Sequence, residues 1–195
     1  MRHSTSGPRV NTCHHPGVCS LNRGVTDDLA RLDLVRLVRA AQGGSRQAFG
    51  ELYAQHRRSV HGILFSRVPR AEVEDLVQDV FMTAMQRLGT LRQPEAFGGW
   101  LAAIARNRAT DHLRRMPQTV ELTEAVGGTV DPDRTETLAV LAVVRTLPDA
   151  YRETLVLRLV EGMTGPEIAV RTGLTAASVR VNLHRGMKLL RERLS

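Results

Sequence analysis

The chain has 195 residues, of which 42% are hydrophobic, 24% charged and only 4% aromatic. That mix excludes wholesale disorder and, at roughly 100–200 residues per domain, allows one ordinary domain or two small ones. Lys and Arg number 27 against 20 Asp and Glu, a formal charge of +7, which suits a polyanionic partner, with nucleic acid first. No apolar run approaches the roughly 20 residues of a membrane span, and Met1 to Val25 lacks the apolar block of a secretory signal. Two cysteines, Cys13 and Cys19, cannot staple a chain of this size, so the expected setting is a reduced cytoplasm.

Residues 1–26 are polar and interrupted by Gly7, Pro8, Pro16, Gly17 and Gly24, the composition of a mobile tail. Asp27 and Asp28 signal a helix start, after which Leu29, Leu32, Val35, Leu37 and Val38 recur at helical spacing. Gly43 and Gly44 end that helix. Ser45 caps a second, whose apolar face is Phe49, Leu52, Tyr53, Val60, Ile63 and Leu64, and Val68-Pro69 stops it. A third carries Val73, Leu76, Val77, Val80, Phe81, Ala84 and Leu88 on one side. Gly89 and Pro94 make 89–96 a loop. A fourth helix runs from about Phe97 to Arg115. The stretch 117–134 has no sustained period and reads as a linker. Helix returns at about 135–146, from Pro148 to about Val160, at 165–171 and at 175–194. The expected fold is all-α: two small helical domains, 27–116 and 135–195, joined by a flexible linker.

The strongest local signal lies between Thr164 and Lys188. Thr164 and Glu167 have capping-box spacing. Gly173 sits where the chain must leave a helix in a left-handed conformation, and Thr175 can cap the next helix. Val179, Leu183, Leu189 and Leu190 anchor that second helix, while Ser178, Arg180, Asn182, His184, Arg185 and Lys188 form its other face. This is the helix–turn–helix pattern, with a second helix suited to a major groove. Residues 164–195 hold six cations and two anions, a net +4. Arg can donate two bonds to a guanine edge and Asn can pair with adenine.

Two further surfaces stand out. On the third helix Glu72, Asp75, Gln78 and Asp79 share an outer stripe. An acidic face on a basic chain suggests a protein partner, although a plain solvated face has the same composition. On the fourth, Phe97 and Trp100 stand beside a polar loop and a run of arginines. Such a mixture can hold unstacked bases and phosphates, but a lone Trp at helical spacing more often packs in a core.

Three stretches carry a resemblance. They are Asp75-Leu-Val-Gln-Asp-Val-Phe81, the helix Phe97-Gly-Gly-Trp100 through Ala105-Arg-Asn-Arg-Ala-Thr-Asp-His-Leu-Arg114, and Leu147-Pro148 through Leu194. In this order and spacing the chain resembles a bacterial sigma factor of the sigma-70 family, in the extracytoplasmic-function (ECF) class. The resemblance implies a region 2 domain at 27–116 and a region 4 domain at 135–195. It implies no catalysis and no cofactor. It implies binding to core RNA polymerase, at the β′ clamp helices and the β subunit, with Asp75, Gln78, Asp79 and Phe81 on the clamp. It implies promoter DNA as the other partner, single-stranded at the −10 element and duplex at the −35 element. The −10 residues would be Arg92, Gln93, Phe97, Trp100, Asn107, Arg108, Asp111, Arg114 and Arg115. The −35 residues would be Ser178, Arg180, Val181, Asn182, His184, Arg185 and Lys188. An anti-sigma factor is a further implied partner, and direct membrane insertion is not expected.

The recognition helix departs from the family at Val181-Asn182, where Ser-Arg is frequent, at His184, and at Gly186, where Ala is usual. Glycine inside a helix costs about 1 kcal/mol. Cys13, His14, His15 and Cys19 have the donor types of a zinc site, but their spacing is too tight for a finger, and the reading is an incidental tail with no metal. His56, His61 and His112 show no paired carboxylate in sequence. Two other readings fit the same residues. One is a stand-alone helix–turn–helix regulator that binds duplex without polymerase. The other is a decoy that keeps the clamp-binding face without DNA specificity.

Overall fold

The computed structural model describes residues 18–115 and 140–194, apart from the side chains of 18–28 and Ala30. The first seventeen residues and the linker placed at 117–134 lie outside the described residues. Eight helices and no strand occur among the described residues. They are α1 (Val18–Gln42), α2 (Arg46–Phe65), α3 (Val73–Arg87), α4 (Phe97–Arg115), α5 (140–145), α6 (Asp149–Leu159), α7 (Gly165–Thr172) and α8 (Ala176–Leu194). The all-α expectation holds.

Helix α1 begins at Val18 rather than at Asp27. Lengthening a helix already nucleated downstream fixes one residue per hydrogen bond gained, so polar residues can join it without apolar periodicity. The caps follow the local sequence. Ser45 accepts from the Ala48 amide at 3.2 Å and opens α2. Leu37, Val38, Leu52, Val60, Ile63, Val77, Val80, Phe97 and Leu101 bury the facing sides of α1 to α4, and Leu147, Leu155, Leu157, Ile168, Val179 and Leu190 do the same for α5 to α8.

The two halves are docked. Helix α2 packs on α6, and α4 packs on α7. Glycines make this contact possible. A Cβ on Gly62 would stand 2.7 Å from Leu157 Cδ2, and one on Gly98 would stand 2.6 Å from the Val170 carbonyl oxygen. Gly173 has φ +73°, and a Cβ there would reach within 2.9 Å of Gly99 Cα. Backbone therefore touches backbone between the start of α4 and the turn after α7.

Gly173→Ala should lower stability by at least about 1 kcal/mol, because an L-residue strains in the left-handed region and the added methyl meets α4. Urea unfolding checks this; an unchanged midpoint would remove the argument.

Candidate nucleic-acid interface

The helix–turn–helix is built as its sequence dictates. Thr164 Oγ1 accepts from the Glu167 amide at 3.4 Å, and Glu167 Oε2 accepts from the Thr164 amide at 2.7 Å, closing a capping box. The bond from the Thr164 amide, and then one from the Thr164 hydroxyl to Glu167 Oε2 at 2.7 Å, hold the Glu167 carboxyl below its ordinary pKa. The Gly173 amide closes α7 on the Ala169 carbonyl at 3.0 Å. Thr175 Oγ1 then accepts from the Ser178 amide at 3.1 Å and starts α8. Ile168 and Val179 bury the seam between the two helices.

Helix α8 presents Ser178, Arg180, Val181, His184, Arg185 and Lys188 as exposed residues, with Asn182 half-buried. Val181, 44% exposed, adds an apolar spot to the basic face, of the kind that meets a thymine methyl in a major groove. Gly186, expected only as a weak point in the helix, lies buried. A Cβ there would be 3.0 Å from Leu155 Cδ1 and 3.2 Å from Tyr151 Cβ, so its absence lets α8 settle on α6.

The second candidate DNA surface is divided. Arg92, Gln93, Asn107, Asp111, Arg114 and Arg115 are exposed. Arg108 is half-buried and donates to Thr83 Oγ1 at 2.8 Å. Phe97 is fully buried, edge-on to His56 with ring centres 4.9 Å apart, and the half-buried Trp100 lies 5.9 Å from it. Phe97 is thus core; of the two aromatics only Trp100 reaches the surface. Arg92, Gln93 and Trp100 line one cleft together with Arg106, Val170, Thr172 and Gly173. One wall of that cleft belongs to the first half and the other to the second.

On α3, Asp75, Gln78 and Asp79 share an exposed face with Met82 and Met85, which are 61% and 57% exposed. Phe81 does not join them. It is 4% exposed and packs on Tyr53, ring centres 4.5 Å apart, and on Phe49. The i,i+3,i+4 geometry that gathers 75, 78, 79 and 82 turns position 81 toward α2.

Sequence reading missed a cluster of ion pairs between the halves. Glu153, on α6, is 4% exposed. It accepts a two-pronged bond from Arg106, at 2.8 Å from Nη2 and 3.1 Å from Nε, and a bond from Arg67 Nη2 at 3.1 Å. Arg67 also donates to Asp149 at 2.7 Å. The buried Glu161 sits 2.7 Å from His61 Nδ1, and Arg58 donates to its backbone carbonyl. His61 therefore does have a carboxylate partner, supplied by a residue 100 positions away. Nothing in the local sequence marks these pairs, whose partners lie 47 or more positions apart.

His56 bridges the halves as a neutral ring. The Leu52 carbonyl at 2.9 Å can only accept, so Nδ1 carries the proton; Arg171 Nη1 at 2.7 Å can only donate, so Nε2 is bare. Burial, and then the Arg171 charge, push its pKa down to about 3. Among the described residues no group of three or more His, Cys, Asp and Glu is placed to hold a metal. Cys13, His14 and His15, and the side chain of Cys19, lie outside the described residues. No described helix is long and apolar enough to cross a membrane.

Fold and basic face together define an all-helical protein built around a helix–turn–helix. Comparison with known proteins narrows this. Sigma-70 region 2 matches residues 52–116, and Sigma-70, region 4 matches 137–190. The ECF RNA polymerase sigma factor BldN of Streptomyces coelicolor is 32% identical over 84% of this chain, which spans 66% of BldN, under two thirds of its length. RNA polymerase sigma factor CarQ of Myxococcus xanthus is 32% identical over 77% of this chain and 91% of CarQ. Among solved structures, CnrH in complex with the cytosolic domain of CnrY is 28% identical, with a TM-score of 0.60 over 83% of this chain and 97% of that one. The chain belongs to the sigma-70 family of RNA polymerase sigma factors, in its ECF group. That family is not an enzyme family.

Phe81→Ala should cost about 3–5 kcal/mol as a core truncation, read by urea unfolding; an unchanged midpoint would refute its place in the core. A second expectation concerns acid. Unfolded His56 takes up its proton below about pH 6.5 and the folded ring only near 3. The unfolded state thus binds more protons in that window, and stability, complete above it, falls as pH drops. Its share between pH 8 and 5 is about 2 kcal/mol. Urea titrations across that range should lose this component in His56→Leu; an identical slope in the variant would refute it.

Proposed function

We propose that the chain is a promoter-specificity subunit of bacterial RNA polymerase, working in the cytoplasm without catalysis or cofactor of its own. The observation that carries the reading is the capped helix–turn–helix, whose exposed basic face lies on a chain that also matches region 2. Helix α8, through Ser178, Arg180, Val181, Asn182, His184, Arg185 and Lys188, reads the −35 element as duplex, because a helix fits the major groove without melting. Arg92, Gln93, Trp100, Asn107, Arg108, Asp111, Arg114 and Arg115 serve the −10 element, where a base is read only after it leaves the stack. Phe97 supports Trp100 from the core. Asp75, Gln78 and Asp79 bind the β′ clamp helices, and the neighbouring Met82 adds apolar contact. The domains are 27–116 and 135–195, with 117–134 as linker. That CnrH forms a complex with the cytosolic domain of CnrY supports a regulatory protein partner here as well, an anti-sigma factor.

Run-off transcription with bacterial core polymerase and a genomic library tests the reading. Protein-dependent start sites sharing upstream −35 and −10 sequences are expected; tight duplex binding without new starts would favour a stand-alone regulator. Asp75→Ala combined with Asp79→Ala should abolish binding to core polymerase and leave the helical circular dichroism intact. Arg185→Ala should weaken −35-dependent initiation by about 1–3 kcal/mol, and an equal loss on scrambled −35 elements would make Arg185 a phosphate contact instead.

A further inference from the structure

The loop between α3 and α4 contains two short 3-10 turns, Leu88–Thr90 and Pro94–Ala96, with Arg92 and Gln93 between them. Leu88 and Leu91 are buried, whereas Arg92 and Gln93 are exposed. The Leu91 amide closes the first turn on the Leu88 carbonyl at 3.1 Å. Gln42, the last residue of α1, reaches across to that same turn. Its Nε2 donates to the Leu88 carbonyl at 3.0 Å and to the Leu91 carbonyl at 2.9 Å. Among the described residues no other side chain from outside the loop is hydrogen-bonded to the backbone of 88–93.

A primary amide carries two N–H donors, and here each has its own carbonyl. Both ends of the turn are thereby tied to α1. The second tie falls on the carbonyl immediately before Arg92, where the chain is extended, with φ −75° and ψ 105° at Leu91. Fixing that peptide fixes the direction in which Arg92 and then Gln93 leave the core. Loops that must become ordered on binding lose affinity to that ordering, and one held beforehand does not. Gln42 does not line the cleft that Arg92, Gln93 and Trp100 share. Its effect on a ligand there passes through the loop.

We propose that Gln42 is a positioning residue for −10 recognition: it staples the turn at 88–91 so that Arg92 and Gln93 meet the unstacked strand in one fixed arrangement. The inference rests on the −10 assignment of Arg92 and Gln93 above.

The test uses the full chain assembled with bacterial core polymerase. Gln42→Met keeps the side-chain length and the helix propensity of α1 and removes both donors. Gln42→Glu keeps the shape and turns an acceptor-only carboxylate toward two carbonyls. Both variants should bind core polymerase and −35 duplex as wild type does. The probe is a fluorescent single-stranded oligonucleotide carrying the −10 sequence found by run-off transcription. Its affinity should fall about tenfold in Gln42→Met, the cost of ordering two side chains at binding, and further in Gln42→Glu. Amide hydrogen exchange should quicken at 88–93 in Gln42→Met and stay as in wild type in α2 and α3. Arg92→Ala combined with Gln93→Ala should also weaken the probe, and adding Gln42→Met to that pair should cause no further loss.

Unchanged affinity in both Gln42 variants overturns the proposal and leaves the −10 assignment standing. An equal loss from Gln42→Met with and without Arg92 and Gln93 makes Gln42 merely structural, which overturns it too. Full affinity after Arg92→Ala with Gln93→Ala overturns the −10 assignment itself, and the positioning role with it.

Discussion

Glu153 is a carboxylate from which water is almost absent, and the arrangement of the two halves follows from that. A lone ionised carboxyl in such a place is untenable, and α6 is therefore bound to whatever supplies its counter-charge. Arg67 and Arg106 do so from two different elements of the other half. Their bonds fix α6 against α2 and α4, and with α6 comes Leu157, seated in the space that Gly62 leaves open. Electrostatics sets the register of the interface, and glycine at 62, 98 and 173 permits the approach. Neither suffices alone: a fork of 2.8–3.1 Å cannot form if a methyl props the backbones apart.

How much of this was legible depends on the reach of each interaction. The capping box at Thr164, the Ser45 and Thr175 caps and the left-handed Gly173 all operate over three or four residues, and each appears where its spacing placed it. The apolar faces of α2 and α3 follow from period alone. The start of α1 was not legible, because a helix extended from its downstream turns leaves no signal in the residues it absorbs. The linker at 117–134 lies outside the described residues. Ion pairs such as His61 with Glu161, 100 positions apart, have no local signature, since either residue would look the same on a solvated face.

The candidate sites divide along the same line. Helical periodicity correctly gathers Asp75, Gln78 and Asp79 on one surface, yet a family motif carried Phe81 along with them. The fold turns Phe81 inward, onto Tyr53 and Phe49. Phe97 and Trp100 show the converse. Both look suited to stacking on a base, but one is fully buried and its ring supports the other. A contiguous motif therefore mixes exposed residues with buried ones that hold them in place.

Gly186 connects α8 to the contact between the halves. Alanine would suit α8 better by about 1 kcal/mol of intrinsic propensity, yet a Cβ at 186 would press on Leu155 and Tyr151 of α6. Glu153 lies between those two residues in sequence, on the same helix. The helix that presents Arg180, Arg185 and Lys188 is thus seated directly on the helix that carries the carboxylate. Buried Leu155, Val179 and Leu190 make that seat apolar, whereas the contact at Glu153 is ionic. The seat of α8 on α6 is thus set by apolar contact at Gly186, and the seat of α6 on the first half by the ion pairs at Glu153 together with Leu157 in the gap at Gly62.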